Sequence, residues 1–240
     1  MSVVEAEGVI KAYGGVRALD NLSLTLGGGR IEGIIGPNGA GKTTLLDVLT
    51  GFLRPESGRI TFDGLAIDRL SPHRRVHCGL VRSFQGLELF PALAVGEVLT
   101  VAALARETLG EARRLAKALC AELELPWGLN SAALTPGEAR RLELGRCLAT
   151  RPRMLLLDEI MAGLTAPEAA FMMDRITFVH GRGVEIVVVE HVMDVIKRLC
   201  QHLHVLAFGR IIASGTFDEV ASDPVVIEAY FGRRGKRGAA

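Results

Sequence analysis

The chain opens with alternating apolar and polar positions. Val3 to Val9 and Leu22 to Leu26 fit short half-buried strands, and Gly14-Gly15 and Gly27-Gly28-Gly29 mark turns. Ile31 to Ile35 is an apolar stretch broken only by Glu32 and Gly33, and it runs into a glycine-rich loop. Lys42 to Thr50 then has helical character, with Gly51 placed to close the helix. Ser57 to Asp63 alternates again, with Ile60 and Phe62 on one face. In the stretch 93–125 the period changes. Leu115, Leu119 and Leu123 recur every fourth residue, as in a helix with one buried stripe. Two nearly continuous apolar runs follow, Met154 to Leu157 and Ile186 to Val189, which suit strands of a parallel sheet covered on both faces. A helix over Pro167 to Phe178 makes the right-handed crossover between them. Alternation returns at Leu203, Val205 and Ala207, before a helical segment and the tail GRRGKRGAA. The pattern predicts an α/β core interrupted by a helical block at about 90–150.

Of the 240 residues, 49% are hydrophobic, enough for a sizeable core. The formal net charge of +1 argues against a protein that coats nucleic acid. No run of about 18 apolar residues marks a membrane span, since Leu93 to Ala105 is broken by Gly96 and Glu97. The opening residues lack the basic-then-apolar plan of a signal peptide, so a cytosolic location is expected. Cys78, Cys120, Cys147 and Cys200 are widely spaced without CxxC and are expected to be free thiols in or near the core.

Gly36, Pro37, Asn38, Gly39, Ala40, Gly41, Lys42 and Thr43 fit G-x-x-x-x-G-K-S/T between an apolar strand and a helix. Glycines let backbone N–H groups wrap phosphate oxygens, and the helix start adds donors and a partial positive charge. Lys42 can reach the β- and γ-phosphates, and the Thr43 hydroxyl can ligate Mg²⁺. Asp158 and Glu159 stand just past one buried strand and His191 just past another. If these strands run parallel, all converge at one sheet edge. Asp158 would hold Mg²⁺ through water, Glu159 would orient or deprotonate the attacking water, and His191 could bond the γ-phosphate and that water. His202 and His204 share one strand face with no third ligand nearby, and are expected to be edge-strand residues rather than a metal site.

In this order the motifs resemble the ATP-binding cassette (ABC) ATPases of transporters, over residues 3 to 232. The resemblance implies an α/β P-loop NTPase with a mainly parallel sheet core, a small antiparallel β subdomain and a helical subdomain. Core and β subdomain would take about 1–89 and 150–232, the helical subdomain about 90–149, and a basic flexible tail 233–240. It places Tyr13 where an aromatic stacks on adenine, and residues Gly36 to Thr44 (Thr43 and Thr44 included) on the nucleotide phosphates. Gln85, after Arg82, Ser83 and Phe84, matches the loop that reaches Mg²⁺ and senses the membrane subunit. Leu134, Thr135, Pro136, Gly137 and Glu138 occupy the signature position. Asp158 and Glu159 match Walker B and the catalytic base, Ala162 to Thr165 the D-loop, and His191 the switch histidine. The implied catalytic set is Glu159, His191, Lys42 and Gln85, the metal set is Thr43, Gln85 and Asp158, and the cofactors are ATP and Mg²⁺. A head-to-tail dimer would add Thr135, Gly137 and Glu138 from the partner subunit.

Three departures stand out. The signature Leu-Ser-Gly-Gly-Gln is here Leu134-Thr135-Pro136-Gly137-Glu138, in which Pro136 removes a backbone N–H. The same residues read as an N-cap, Pro at N1 and Glu at N3. Thr165 replaces the D-loop aspartate, and Ile160 replaces the proline after the base. Gly79 to Gln85, Leu89-Phe90-Pro91, Ala162 to Thr165, Val189-Glu190-His191 and Asp223 to Phe231 are similar to cassettes of branched-chain amino-acid importers. Lipopolysaccharide-export cassettes share much of that ending, in which Val226, Tyr230 and Phe231 are placed to pack on the core. The resemblance thus implies a second cassette, two permease subunits and, indirectly, a periplasmic binding protein, at the cytoplasmic face of the inner membrane. A non-transport ABC ATPase of DNA repair or translation is the alternative from another class, and the near-neutral charge speaks against it.

Overall fold

The computed structural model describes residues 1–84 and 90–231. Strands β1 (Val3–Tyr13) and β2 (Val16–Gly27) form a hairpin through Gly14 and Gly15, both with positive φ. Both strands run further than the alternation indicates. Register shifts around Val9 and Lys11 break the period of two while the pairing continues. Next come β3 (Glu32–Ile35), α1 (Lys42–Thr50), β4 (Ser57–Phe62), β5 (Leu65–Ala66), α2 (Pro72–Cys78) and β6 (Leu80–Arg82). The helical block holds α3 (Val95–Ala103), α4 (Leu109–Glu122) and α5 (Pro136–Ala149). The chain returns through β7 (Met154–Asp158), α6 (Ala166–Gly181), β8 (Glu185–Val189) and α7 (Met193–Leu199). It ends with β9 (His202–Ala207), β10 (Arg210–Gly215), α8 (Phe217–Ser222) and α9 (Pro224–Phe231).

Two sheets result. One is antiparallel, in the order β2-β1-β4-β5, and the other has the order β10-β9-β3-β8-β7-β6. In the second, β9, β3, β8, β7 and β6 run parallel and only β10 turns back. His202 and His204 therefore do not lie on an edge strand as expected. The edge is β10, whose Ser214 pairs with His204, and His204 is buried.

The apolar runs are continuous because each strand feeds two cores. Ile35, Leu155, Leu157, Ile186, Val188, Leu203 and Val205 face one core, shared with α3 to α7. Ile34, Met154, Leu156, Val187, Val189 and Leu206 face the other, filled by α1 and the antiparallel sheet. The polar interruptions have partners. Glu32, nearly fully buried, accepts the Gly27 N–H at 2.9 Å, and buried Glu185 accepts the Gly29 N–H at 3.0 Å. Two acids at the amino-terminal sheet edge thus accept backbone N–H groups of the glycine turn that leaves β2.

Four helices start with the same device. In Thr108–Glu111, Thr135–Glu138, Thr165–Glu168 and Thr216–Glu219 the glutamate accepts both the N–H and the hydroxyl of its threonine. Cys120, Cys147 and Cys200 are buried and Cys78 half-buried, all free thiols. Among the described residues no helix is long and apolar enough to cross a membrane.

Candidate functional site

The glycine loop links the carboxyl end of β3 to α1, and its geometry depends on missing side chains. A Cβ on Gly36 would sit 2.0 Å from the Leu206 carbonyl oxygen, and one on Gly41 would sit 2.3 Å from that of Ala18. Gly41 also has φ +106°, a region that L side chains rarely adopt. The loop is held by Ala40 N–H on the Pro37 carbonyl and by Gly209 N–H on the Ala40 carbonyl. Lys42 folds back on it, its Nζ donating to the Gly36 oxygen at 2.7 Å and the Pro37 oxygen at 3.1 Å. Burial lowers the Lys42 ammonium below its ordinary pKa, and the charges of Glu159 and Asp158 oppose that. Thr43 stands exposed on the first turn of α1.

Asp158 closes β7 and is buried. Burial raises its carboxyl above the ordinary value. Arg82 works against this, while Glu159 and Asp47 add to it. The Arg82 Nη2 donates to Asp158 Oδ2 at 2.7 Å, and the Asp158 N–H donates to Ser83 Oγ at 2.9 Å. The next residue, Glu159, is left-handed at φ +48°, a conformation costing a non-glycine residue about 1–2 kcal/mol. Its N–H donates to the Val189 carbonyl, and its own carbonyl accepts the Ala162 N–H. This turn aims the side chain back over the sheet edge. Glu159 Oε1 lies 3.8 Å from His191 Nδ1, which follows β8. The structure therefore brings the loop, Asp158, Glu159 and His191 to the carboxyl ends of β3, β7 and β8.

At the start of α5, Thr135 is the N-cap and Pro136 sits at the first turn, as the sequence predicts. The Glu138 carboxylate is turned onto its own cap, accepting the Thr135 N–H and hydroxyl, each at 2.9 Å. Thr165 fills the same role for α6 with Glu168, so the residue replacing aspartate caps a helix. Ile160 is fully buried, in the core that the parallel sheet shares with α3 to α7.

The family described as ABC transporter matches residues 19–162, and one described as branched-chain amino acid ATP-binding cassette transporter matches residues 210–236. The chain belongs to the ABC transporter family. The cassette is 34% identical to the high-affinity branched-chain amino acid transport ATP-binding protein BraF of Pseudomonas aeruginosa, covering 96% of this chain and 98% of that one. It is 33% identical to the lipopolysaccharide export system ATP-binding protein LptB of Haemophilus influenzae, over 98% of this chain and 100% of that one. Its fold is similar to a nucleotide-free ATP-binding cassette from an ABC transporter, with TM-score 0.88, 30% identity and coverage of 97% and 100%. It is also similar to the ADP conformation of such a cassette, with TM-score 0.84, 30% identity and coverage of 97% and 99%. This chain is an ATP-binding subunit of an ABC transporter and an ATP hydrolase.

Tyr13 lies at the hairpin tip, half-exposed, with Lys11 Nζ 5.5 Å from its ring centre. Gln85 lies outside the described residues, as do Leu89 and the tail from 233. In the cassette, two groups escape sequence inspection. Arg82 ends a three-residue strand with no periodicity of its own. Glu190, directly before His191, is buried. Its Oε1 accepts the Met161 N–H at 2.9 Å, while Oε2 has no hydrogen-bond partner among the described residues. It thereby ties the histidine turn to the turn after Glu159.

Burial raises the Glu190 carboxyl above its ordinary value of 4.5, with the Met161 N–H opposing. A raised acid contributes stability fully below its unfolded value and loses it as pH climbs through the folded value. Glu190→Gln removes that loss. The melting temperature of the variant minus that of wild type is expected to increase from about pH 5 to about pH 8. A difference that stays flat over this range contradicts the assignment.

Proposed function

We propose that this cassette energises import of branched-chain amino acids or related amino acids and amides. The observation that carries the reading is the match of residues 210–236 to the branched-chain family, supported by the likeness to BraF. The cassette would work at the cytoplasmic face of the inner membrane with a second cassette and two permease subunits, fed by a periplasmic binding protein. The likeness to LptB favours lipopolysaccharide export as the second reading.

Each ATP would lie between the glycine loop of one subunit and the α5 start of the other. Residues Gly36 to Thr44 wrap the phosphates, and Lys42 exchanges its two loop carbonyls for phosphate oxygens. Tyr13 offers a ring face to the base. From the partner subunit come the Thr135 cap, the Gly137 N–H and the helix end that the Glu138 box holds in shape. Pro136 offers no N–H, so that helix end gives one donor fewer.

The Thr43 hydroxyl and the Asp158 carboxylate form an all-oxygen donor pair suited to Mg²⁺. Arg82 engages Asp158 Oδ2 and leaves Oδ1 without a protein donor among the described residues, which fits a cation there. Gln85 is the third proposed donor. The cation would supply charge neutralisation at the β- and γ-phosphates. Glu159 accepts the proton of the attacking water, and His191, close to that carboxylate, holds the water and γ-phosphate in line.

Deletion of the gene in its own cells tests the transported class. The expected result is loss of labelled leucine, isoleucine and valine uptake with other uptake intact. Normal uptake together with lost surface lipopolysaccharide would replace the import reading by the export one.

A further inference from the structure

We propose that Arg82 is a positioning residue that sets the spacing between Thr43 and Asp158, the donors assigned above to the cation. The proposal rests on that assignment. Arg82 closes β6, the strand at one edge of the parallel sheet, and its side chain is 5% exposed. The guanidinium forks between two carboxylates. Nη1 donates to Asp47 Oδ1 at 2.5 Å and Nη2 to Asp158 Oδ2 at 2.7 Å. The third nitrogen, Nε, is buried without an acceptor among the described residues, so the two acids, with the Phe84 ring centre 5.6 Å from the guanidinium carbon, orient the plane.

Asp47 stands four residues after Thr43 on α1, so the two share one helix face a turn apart. Asp158 ends β7. One rigid planar group therefore ties the helix that presents Thr43 to the strand end that presents Asp158. Ser83 completes the hold from the backbone side. Its Oγ accepts the Asp158 N–H, and its own N–H donates to the Leu156 carbonyl at 2.9 Å. Phe84 anchors the same segment elsewhere, its N–H on Glu143 Oε1 of α5 at 3.2 Å and its ring edge-on to Phe52 at 5.3 Å. Arg82 thus fixes the carboxylate and Ser83 the main chain, three and two residues before Gln85.

A buried arginine between two acids is a poor source of stability, because desolvation offsets the attraction. Its directional fork is what an apolar residue or a lysine cannot reproduce. Charge balance alone makes the opposite forecast. Removing a cation beside Asp158 would leave the site more negative and draw Mg²⁺ in more strongly.

The test is calorimetric titration of a non-hydrolysable ATP analogue at increasing MgCl₂, with melting of the nucleotide-free protein alongside. Arg82→Lys keeps the charge and loses the fork. It is expected to bind the analogue without MgCl₂ as wild type does, and to need about 10- to 100-fold more MgCl₂ for half-maximal tightening, as for a lost partner of a metal ligand. Asp47→Asn, which leaves the Asp158 bond in place, shifts the same way by less. Arg82→Met also needs more. The proposal is overturned if Arg82→Lys titrates like wild type, if its melting falls while the MgCl₂ midpoint stays, or if Arg82→Met needs less MgCl₂. Asp158→Asn separates the two levels of inference. A wild-type midpoint there removes the cation assignment itself, whereas a shifted midpoint with unchanged Arg82→Lys removes only the role of Arg82.

Discussion

Glu159→Gln is expected to bind ATP as wild type does and to hydrolyse it about 10²–10⁴-fold more slowly, the usual worth of a positioned base. The amide keeps the shape of the side chain and removes its proton acceptor. The left-handed backbone at Glu159 is held by Val189 and Ala162 through main-chain bonds that the substitution leaves alone. Asp158, with its Arg82 and Ser83 partners, is also untouched. Phosphate grip and partner closure therefore persist while turnover stops. Mg²⁺·ATP should accumulate between two subunits, and the isolated protein should pass from monomer to dimer on light scattering more completely than wild type. Gly137→Asp should block that shift by putting a carboxylate at the helix end, where Glu168 already lies against the site of the missing Cβ. A Glu159→Gln protein that hydrolyses at the wild-type rate removes Glu159 as the base. One that stays monomeric until a different cassette is added identifies a heterodimer.

Much of this site is legible in the sequence because its parts sit where the pattern changes. The glycine loop, Asp158-Glu159 and His191 each follow an apolar run, and parallel pairing of those runs carries them to one edge. The cap at Thr135 is legible for a similar reason, since its four-residue code is satisfied within the helix start. What stays hidden depends on partners distant in the chain or on elements too short for a period. Arg82 meets Asp47 and Asp158, 35 and 76 residues away, from a strand of three residues. Glu32, inside one apolar run, and Glu185, just before another, show no local reason for an acid until the turn at Gly27 and Gly29 is seen beside them. Nothing local signals that Glu159 turns left-handed, because the constraint comes from the neighbouring strand end at Val189. The expectation of an edge strand at His202 and His204 fails because β10 follows β9 after only Phe208 and Gly209 and pairs on its outer side. The helical stretch at 93–125 divides likewise into α3 and α4 across a turn without glycine or proline.

Lys42→Ala is expected to weaken ATP binding by about 1.5–3 kcal/mol, roughly 10- to 100-fold, the worth of hydrogen bonds to a charged group. The Nζ donates to Gly36 and Pro37 carbonyls, so the ammonium is already at the mouth of the loop, and swinging it onto phosphate needs no change of backbone. Its lowered pKa reflects burial, so the charge is poorly hydrated there and gains from an anionic partner. The loop itself should survive the substitution, because the Ala40–Pro37 and Gly209–Ala40 main-chain bonds and the tight glycine approaches remain. The melting temperature of the nucleotide-free variant is accordingly expected to stay near that of wild type. ATP should suffer more than ADP, since only ATP presents the γ-phosphate that Lys42 reaches. Lys42→Arg should not restore affinity, because a broad planar guanidinium cannot take the place of a compact ammonium against those carbonyls. Fluorescence titration of the three proteins with ATP and ADP reads all of this. Equal affinities for ATP in wild type and Lys42→Ala would show that the loop does not grip phosphate through Lys42, and an equal loss for ATP and ADP would move its contact from the γ- to the β-phosphate.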